Sequence, residues 1–412
     1  MGDVDDDARE MLSGLLDAAR FSVPDDVASL LAGQGKALGA TSVIVYLVDH
    51  EQYVLVPLPH DDGPAREPAT IESTMAGRCF RQLELVWSEG GRRAWVPMLD
   101  GLERLGVVEL ELDPTTKRVA DELLHDVAAL VAEIVVSKDA YGDLFARVRR
   151  RRPMSLAAEI AWRLLPPLTF GTDRVVIACV LAPAYEVGGD SFDYAVDAAT
   201  AQFMVLDAMG HGLDAGLLAT VAIGAYRNNR RAGLDLPEVI AAIDAALADS
   251  FGGEKFATAV LGELELASGR LRWHGAGHPA PLLLRGGRVV KALESEVGLP
   301  LGLGKVLGAA RGIAEEFLEP GDRILLFTDG VVEARSPDGE FFGVERLADI
   351  ATRETAAGQP APETMRRLMH AILGHQAGIL HDDATTMLVE WQGRGAGRIA
   401  PAGTHPIGHQ VG

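Results

Sequence analysis

The sequence predicts an α+β protein with two folded units, of which the second is an antiparallel β-sandwich flanked by helices. Residues 169–392 contain nine short apolar runs typical of strands, with only three helical stretches among them. Many short strands with few helices favour two packed antiparallel sheets with helices outside them. Residues 25–137 instead mix strands and helices, which indicates a separate and smaller α/β unit.

The smaller unit follows an acidic segment, residues 1–24. A helix is predicted over Pro24–Leu38, because proline and aspartate suit a first helical turn. Asp100-Gly101 predicts a hairpin turn, and the apolar spacing after Thr116 predicts a long amphipathic helix. The other predicted elements are a helix over 71–83 and strands over 41–49, 53–59, 85–88, 93–99 and 104–112.

Residues 138–168 are predicted to form a helical linker between the units, and residues 393–412 a disordered tail. The linker contains the basic run Arg149–Arg152 and ends at Pro166-Pro167. A nuclear-localisation or phosphate-binding role for this run competes with a solvated helix face. Because apolar helical faces flank the run, the sequence predicts a homodimer formed through the linker.

The composition excludes several classes of protein. A net charge of −21 over 412 residues lacks the basic surface expected of a nucleic-acid binder and disfavours anionic lipid. No apolar stretch reaches the roughly 20 residues that span a bilayer, and the acidic N-terminus is not a secretory signal. Two distant cysteines do not make a disulfide framework, so we expect a cytoplasmic protein.

Four aspartates stand just past apolar runs or beside glycine turns: Asp190, Asp207, Asp329 and Asp382. Ionised carboxylates in one cleft raise each other's pKa, and divalent cations remove that penalty. Oxygen ligands of this kind suit Mg²⁺ or Mn²⁺. The pattern predicts a site for two such ions, an arrangement suited to phosphate ester hydrolysis.

Eight motifs in fixed order identify the second unit with a family: EVGGDSFDY, DAMGHG, FATAV, AGHPAPLLL, GLPLG, LLFTDGVVEA, FFG and DDATTMLVE. Together they resemble the catalytic domain of PPM-type, metal-dependent serine/threonine phosphatases, and more narrowly the SpoIIE-like branch. The resemblance implies a hydrolase of phosphoserine or phosphothreonine that uses metal-activated water.

The resemblance also implies the ligands of the metal ions. Asp207 matches the carboxylate that bridges both metals, and Ala208 would offer its backbone carbonyl. Asp190 matches a first-site or water-mediated ligand, while Asp329 and Asp382 match ligands of the second metal. Asp382 is preferred to Asp383 because the family places this ligand three residues before the threonine.

Three further side chains carry open alternatives. His211 either donates a proton to the leaving serine oxygen or hydrogen-bonds to hold its turn. His278 is expected to be structural. Asp193, like Asp383, is ranked below the four aspartates as solvated or supporting.

Residues 25–137 resemble a GAF domain, on their element order and the VPMLDGLERLGVVEL hairpin. A PAS-like sensor is the nearest alternative. The resemblance implies an unknown small-molecule ligand, although a module used only for dimerisation fits equally.

The sequence therefore predicts a regulatory protein phosphatase controlled by its N-terminal sensor. By resemblance, the substrate is a phosphorylated anti-anti-sigma-like protein with a STAS-like fold. The alternatives are a catalytically inactive scaffold that binds a signalling partner, and a small-molecule phosphohydrolase that uses the same metals.

Overall fold

The computed structural model describes residues 2–60, 66–113, 119–186, 188–296, 298–304, 312–377 and 382–393. The chain divides into two compact units, with the boundary between Arg152 and Pro153. This boundary falls inside the segment predicted as a linker. The predicted tail lies outside the described residues, apart from Gly393.

The N-terminal unit contains helices and strands in mixed order. Its helices are α1 (Gly2–Phe21), α2 (Val27–Gly35), α3 (Met75–Gln82), α4 (Asp121–Lys138) and α5 (Leu144–Arg149). Its strands are β1 (Ala40–Val48), β2 (Val54–Pro57), β3 (Ala69–Thr70), β4 (Val86–Trp87), β5 (Arg93–Asp100) and β6 (Glu103–Leu112).

The six strands form one antiparallel sheet in the order β3-β2-β1-β6-β5-β4. One face packs against α1, α2 and α4 through residues such as Val45, Val96 and Val108. The other face packs against α3 around Phe80 and Val107. This sheet with helices on both faces agrees with the predicted α/β unit, and the GAF-like assignment stays a prediction.

The C-terminal unit begins with α6 (Leu156–Leu164) and holds most of the strands. Its strands are β7 (Thr169–Gly171), β8 (Val175–Ala182), β9 (Asp190–Val196), β10 (Thr200–Ala208), β11 (Ala257–Glu265), β12 (Arg270–Ala276), β13 (Leu282–Arg285), β14 (Arg288–Ala292), β15 (Ala314–Phe317), β16 (Arg323–Phe327) and β17 (Ala384–Trp391). Its other helices are α7 (Leu213–Arg231), α8 (Leu236–Phe251), α9 (Asp329–Val332), α10 (Gly343–Ala356) and α11 (Ala361–His375).

Two antiparallel sheets form the predicted sandwich. Their strand orders are β15-β12-β11-β10-β9 and β14-β13-β16-β17-β8-β7. Phe192, Phe203 and Val205 of the first sheet share one core with Ile324 and Met387 of the second. The fold is therefore α+β with antiparallel sheets and helices, as predicted.

The outer face of the first sheet is covered by α7 and α8. Met204 and Leu206 of β10 pack there against helix residues such as Leu218 and Ile240. Because side chains alternate along a strand, odd-numbered residues of β10 face the second sheet and even-numbered residues face the helices. This alternation decides where Asp207 points.

Two other sequence expectations concern the membrane and the cysteines. Across the described residues, no helix combines the length and the apolar character needed to cross a bilayer. Cys79 and Cys179 are both buried and belong to different units.

Candidate metal centre

Asp207 and Asp190 face each other across neighbouring strands at one end of the sandwich. They are register partners in the β9–β10 pair. Their side chains lie on the same side as Phe192, Phe203 and Val205, which belong to the core between the sheets. The strand alternation thus points both carboxylates into the space between the two sheets.

The second sheet supplies the other two predicted aspartates. Asp329 is the first residue of α9, directly after β16, and Asp382 stands two residues before β17. Both are exposed. Since β16 and β17 are paired, the end of β16 and the start of β17 meet at one place. Burial raises the pKa of Asp329, and the charge of Asp382 raises it further.

Thr328 joins the two sheets beside these carboxylates. Its hydroxyl donates to Asp190 Oδ2 at 2.7 Å and accepts from the backbone N–H of Thr385 at 3.0 Å. Thr328 and Thr385 are fully buried, and Asp190 is only 2% exposed. The Asp190 carboxylate is therefore held by a hydrogen bond from the opposite sheet.

Asp383 has a different environment from Asp382. Its Oδ2 accepts three backbone N–H groups, from Gly188 at 2.8 Å, Gly189 at 2.6 Å and Asp190 at 3.2 Å. Asp383 is therefore not a solvated side chain, because it fixes the turn that leads into β9. Asp382 is the more accessible of the two residues, and the choice between them as a metal ligand stays a prediction.

The carboxylates perturb one another's ionisation. Burial raises the pKa of Asp207 to about 7, with further contributions from the charges of Asp329, Asp382 and Asp383. Burial also raises the pKa of Asp190 well above its usual range, assisted by the charges of Asp207 and Asp383. The site thus concentrates negative charge that a cation would neutralise.

A glycine turn presents His211 beside these carboxylates. Gly210 and Gly212 both have positive φ, of 95° and 71°, a conformation that side chains disfavour. Gly188 packs against this turn, because a Cβ on it would stand 2.4 Å from the Gly212 nitrogen. His211 is exposed. Burial raises the pKa of Asp382, and His211 is one of the neighbouring groups that oppose this rise.

The predicted ligands converge without forming a finished metal site. In the described part of the chain, no group of three or more His, Cys, Asp or Glu side chains is arranged to hold a metal ion. The chemistry of the donors fits Mg²⁺ or Mn²⁺, since all are carboxylates apart from the Ala208 carbonyl. The ligand set remains a prediction.

Asp193, which was ranked below the four aspartates, and His278, which was expected to be structural, both have hydrogen-bonding partners. Asp193 is buried on the helix-covered side of β9, where it pairs with Arg227 at 2.7 Å and Arg230 at 3.0 Å. His278 shares a 2.7 Å hydrogen bond through Nδ1 with Thr258, the register partner of Asp207 on β11. Both residues support the strands that carry the site.

The sequence interpretation missed Thr328 and the three-fold contact of Asp383. A threonine before Asp-Gly gives no signal of a hydrogen bond across the sandwich. A periodicity signal did exist for Asp193, because it stands out of phase with Phe192 and Tyr194.

A family model matches most of the second unit. The model described as Stage II sporulation protein E (SpoIIE) matches residues 197–392. This range contains Asp207, Asp329 and Asp382, whereas Asp190 precedes it.

Curated relatives match the chain at low identity. Protein IcfG of Synechocystis sp. is 29% identical over 137 residues, 33% of this chain, and the chain spans 21% of its length. Phosphoserine phosphatase RsbU of Bacillus subtilis is 23% identical over 237 residues, which cover 57% of this chain and 69% of RsbU.

Solved structures match a similar share of the chain. The RsbU and RsbW domains of Rv1364c from Mycobacterium tuberculosis are 27% identical, with 55% of this chain and 62% of that chain covered and a TM-score of 0.47. Two further structures, each 16% identical to this chain, were determined with magnesium or with two manganese ions, at TM-scores of 0.41 and 0.39.

Proposed function

We propose that the C-terminal unit, most of which matches the SpoIIE family model, is a metal-dependent protein serine/threonine phosphatase. One observation carries the proposal: Asp207 and Asp190 are register partners that point between the sheets, where burial and the charges of three further carboxylates raise the pKa of Asp207. Such crowding disfavours the ionised state unless cations are present.

Asp190, Asp207, Asp329, Asp382 and the Ala208 carbonyl would hold two Mn²⁺ or Mg²⁺ ions. When bound, these ions would activate a water molecule and neutralise charge on the phosphoryl oxygens. Asp207 extends from the end of β10, between the strands that carry Asp190 and Thr258. This central position suits a carboxylate shared by both ions.

The remaining residues position these ligands. Thr328 donates a hydrogen bond that holds the Asp190 carboxylate, and Asp383 accepts the N–H of Gly189 in the turn that precedes Asp190. His211 is exposed next to Asp382, so it could donate a proton to the leaving oxygen of the substrate serine. Strands of both sheets hold these groups, which gives the site a rigid base.

For the substrate, we propose a phosphorylated regulatory protein of the anti-anti-sigma type. The support is the SpoIIE family match and the similarity to a relative named phosphoserine phosphatase. The N-terminal unit would act as a GAF-like sensor that regulates hydrolysis. A homodimer through residues 138–168 belongs to the same proposal, and light scattering that gave a monomeric mass would contradict it.

The test is hydrolysis of a phosphoserine protein by the full chain with Mn²⁺. Asp207→Asn should lower the rate by about 100-fold or more, because second-shell partners of metal ligands alone cost about 10–100-fold. Asp338→Asn, at an exposed aspartate of the C-terminal unit, is the matched control and should keep full activity.

Two results would overturn parts of the proposal. Hydrolysis that was equal in Asp207→Asn and Asp338→Asn would exclude the metal centre. Faster turnover of free phosphate esters than of phosphoproteins would instead indicate a small-molecule phosphohydrolase that uses the same site.

A further inference from the structure

A cavity of about 990 Å³ lies in the N-terminal unit. Its walls come from α2, the first half of β1, the segment 57–60, Arg66 and Val148. Pockets that bind small molecules commonly enclose about 300–1,000 Å³. The cavity therefore has the size of a ligand site.

One wall of the cavity is an open strand edge. β1 pairs with β2 only over Tyr46–Val48, and the last contact is the bond from Leu58 N–H to the Val45 carbonyl at 2.8 Å. In the described residues, no strand continues along this side of β1 from Ala40 to Ile44. An open edge presents backbone donors and acceptors to a ligand.

The charged side chains that line the cavity carry a net positive charge. Arg66 and Lys36 both line it, and the Arg66 Nε is buried without a hydrogen-bond partner. Among the described lining residues the one carboxylate is Glu111, which already pairs with Arg93 at 3.1 Å. A buried donor without a partner is destabilising, and an anionic acceptor would supply that partner.

The rest of the lining is largely apolar. Ala28 and Ala32 contribute from α2, Val43 from β1, and Pro57 and Val148 from the opposite side. Apolar walls of this kind can bury the hydrocarbon part of a ligand. The guanidinium of Arg66 can bind a carboxylate or a phosphate through a bidentate pair of hydrogen bonds. The two features together select a molecule with an anionic head and an apolar body.

We propose that this cavity binds a small amphiphilic organic anion, with its carboxylate or phosphate group on Arg66 and its apolar body between α2 and β1. Lys36 adds a second positive charge at the rim. The proposal is independent of phosphatase activity, because the lining residues belong to the N-terminal unit.

The test uses 8-anilinonaphthalene-1-sulfonate, an apolar anion, as a fluorescent probe of the full chain. Decanoate and octyl phosphate compete with it in separate titrations, so the preferred head group is read directly. In Arg66→Gln, binding of the preferred competitor should weaken about tenfold or more, since a charged hydrogen bond contributes about 1.5–3 kcal/mol. Arg92→Gln, at an exposed arginine of the same unit, should leave it unchanged.

A second variant tests the cavity itself. A Cβ at Gly33 would meet no heavy atom within 4 Å, so this position has room for a side chain, and Gly33→Leu adds bulk beside the cavity. Leucine is also a better helix former than glycine, so this variant should fold, and its binding of the preferred competitor should be lost. Equal affinity in Arg66→Gln and Arg92→Gln would overturn the proposal, and so would displacement of the probe by inorganic phosphate alone.

Discussion

Asp383→Ala tests how the turn that carries Asp190 is held in place. One carboxylate oxygen of Asp383 accepts the N–H groups of Gly188, Gly189 and Asp190, at 2.6–3.2 Å. Alanine would therefore leave all three donors without their acceptor.

The size of the effect follows from the number and charge of these bonds. A hydrogen bond to a charged group contributes about 1.5–3 kcal/mol net. Because three donors share one oxygen, we take the whole set at about 3–4 kcal/mol rather than three times the single value. A factor of ten corresponds to about 1.4 kcal/mol, so local opening of the turn should become about 100- to 1,000-fold more frequent.

The measurement is amide hydrogen exchange of the full chain, followed in a peptide that spans residues 186–191. Exchange there reports local opening rather than global unfolding. Asp383→Asn keeps a neutral oxygen and should give an intermediate rate, while Asp338→Ala should match the wild type. If Asp383→Ala exchanged no faster than Asp338→Ala, Asp383 would not hold this turn.

Three further variants probe the same end of the sandwich. Thr328→Val removes the donor to Asp190 and the acceptor of the Thr385 N–H, so the urea unfolding free energy should fall by about 1–3 kcal/mol, and no change would contradict this. Gly330→Ala would place its Cβ 1.9 Å from the Asp383 carbonyl oxygen and should destabilise the protein by about 1–3 kcal/mol. Gly224→Ala is the control, because its Cβ would meet no heavy atom within 4 Å, and it should melt no lower than wild type. Burial lowers the pKa of His278 from 6.5 to about 4, so as the pH falls the unfolded chain takes up a proton on this histidine before the folded chain does. The stability that neutral His278 contributes is therefore complete above pH 6.5 and is lost as the pH falls towards 4. His278→Gln should therefore show a smaller decline in melting temperature between pH 7 and pH 4.5, and an unchanged decline would exclude His278 as a cause.

The sandwich was predictable because its strands are short, apolar and bounded by turn residues. The alternation of Phe203 and Val205 with Met204 and Leu206 also fixes the side to which Asp207 points. The sequence could not give the register that sets Asp190 opposite Asp207, since register depends on how the two strands pair in space.

Other features depended on contacts between distant parts of the chain. The bond from Thr328 to Asp190 spans 138 residues, and those from the 188–190 turn to Asp383 span more than 190. The helix α1 was not predicted within the acidic segment, although Met11, Leu15 and Ala19 are buried on one face at a spacing of four. Acidic composition obscured that spacing.

The cavity beside β1 could not be predicted from the sequence either. Pro57 and Pro59 show where β2 must end, because proline lacks the N–H that continues a strand ladder. They do not show that, among the described strands, none pairs with β1 from Ala40 to Ile44 next to Arg66. That juxtaposition is a property of the folded unit.

The most direct test of the metal centre is the anomalous scattering of manganese in crystals of the full chain soaked with Mn²⁺. The account predicts two manganese peaks at the end of the sandwich, with the Asp207 carboxylate touching both. Manganese bound elsewhere, or no peak within coordinating distance of Asp207, would contradict it.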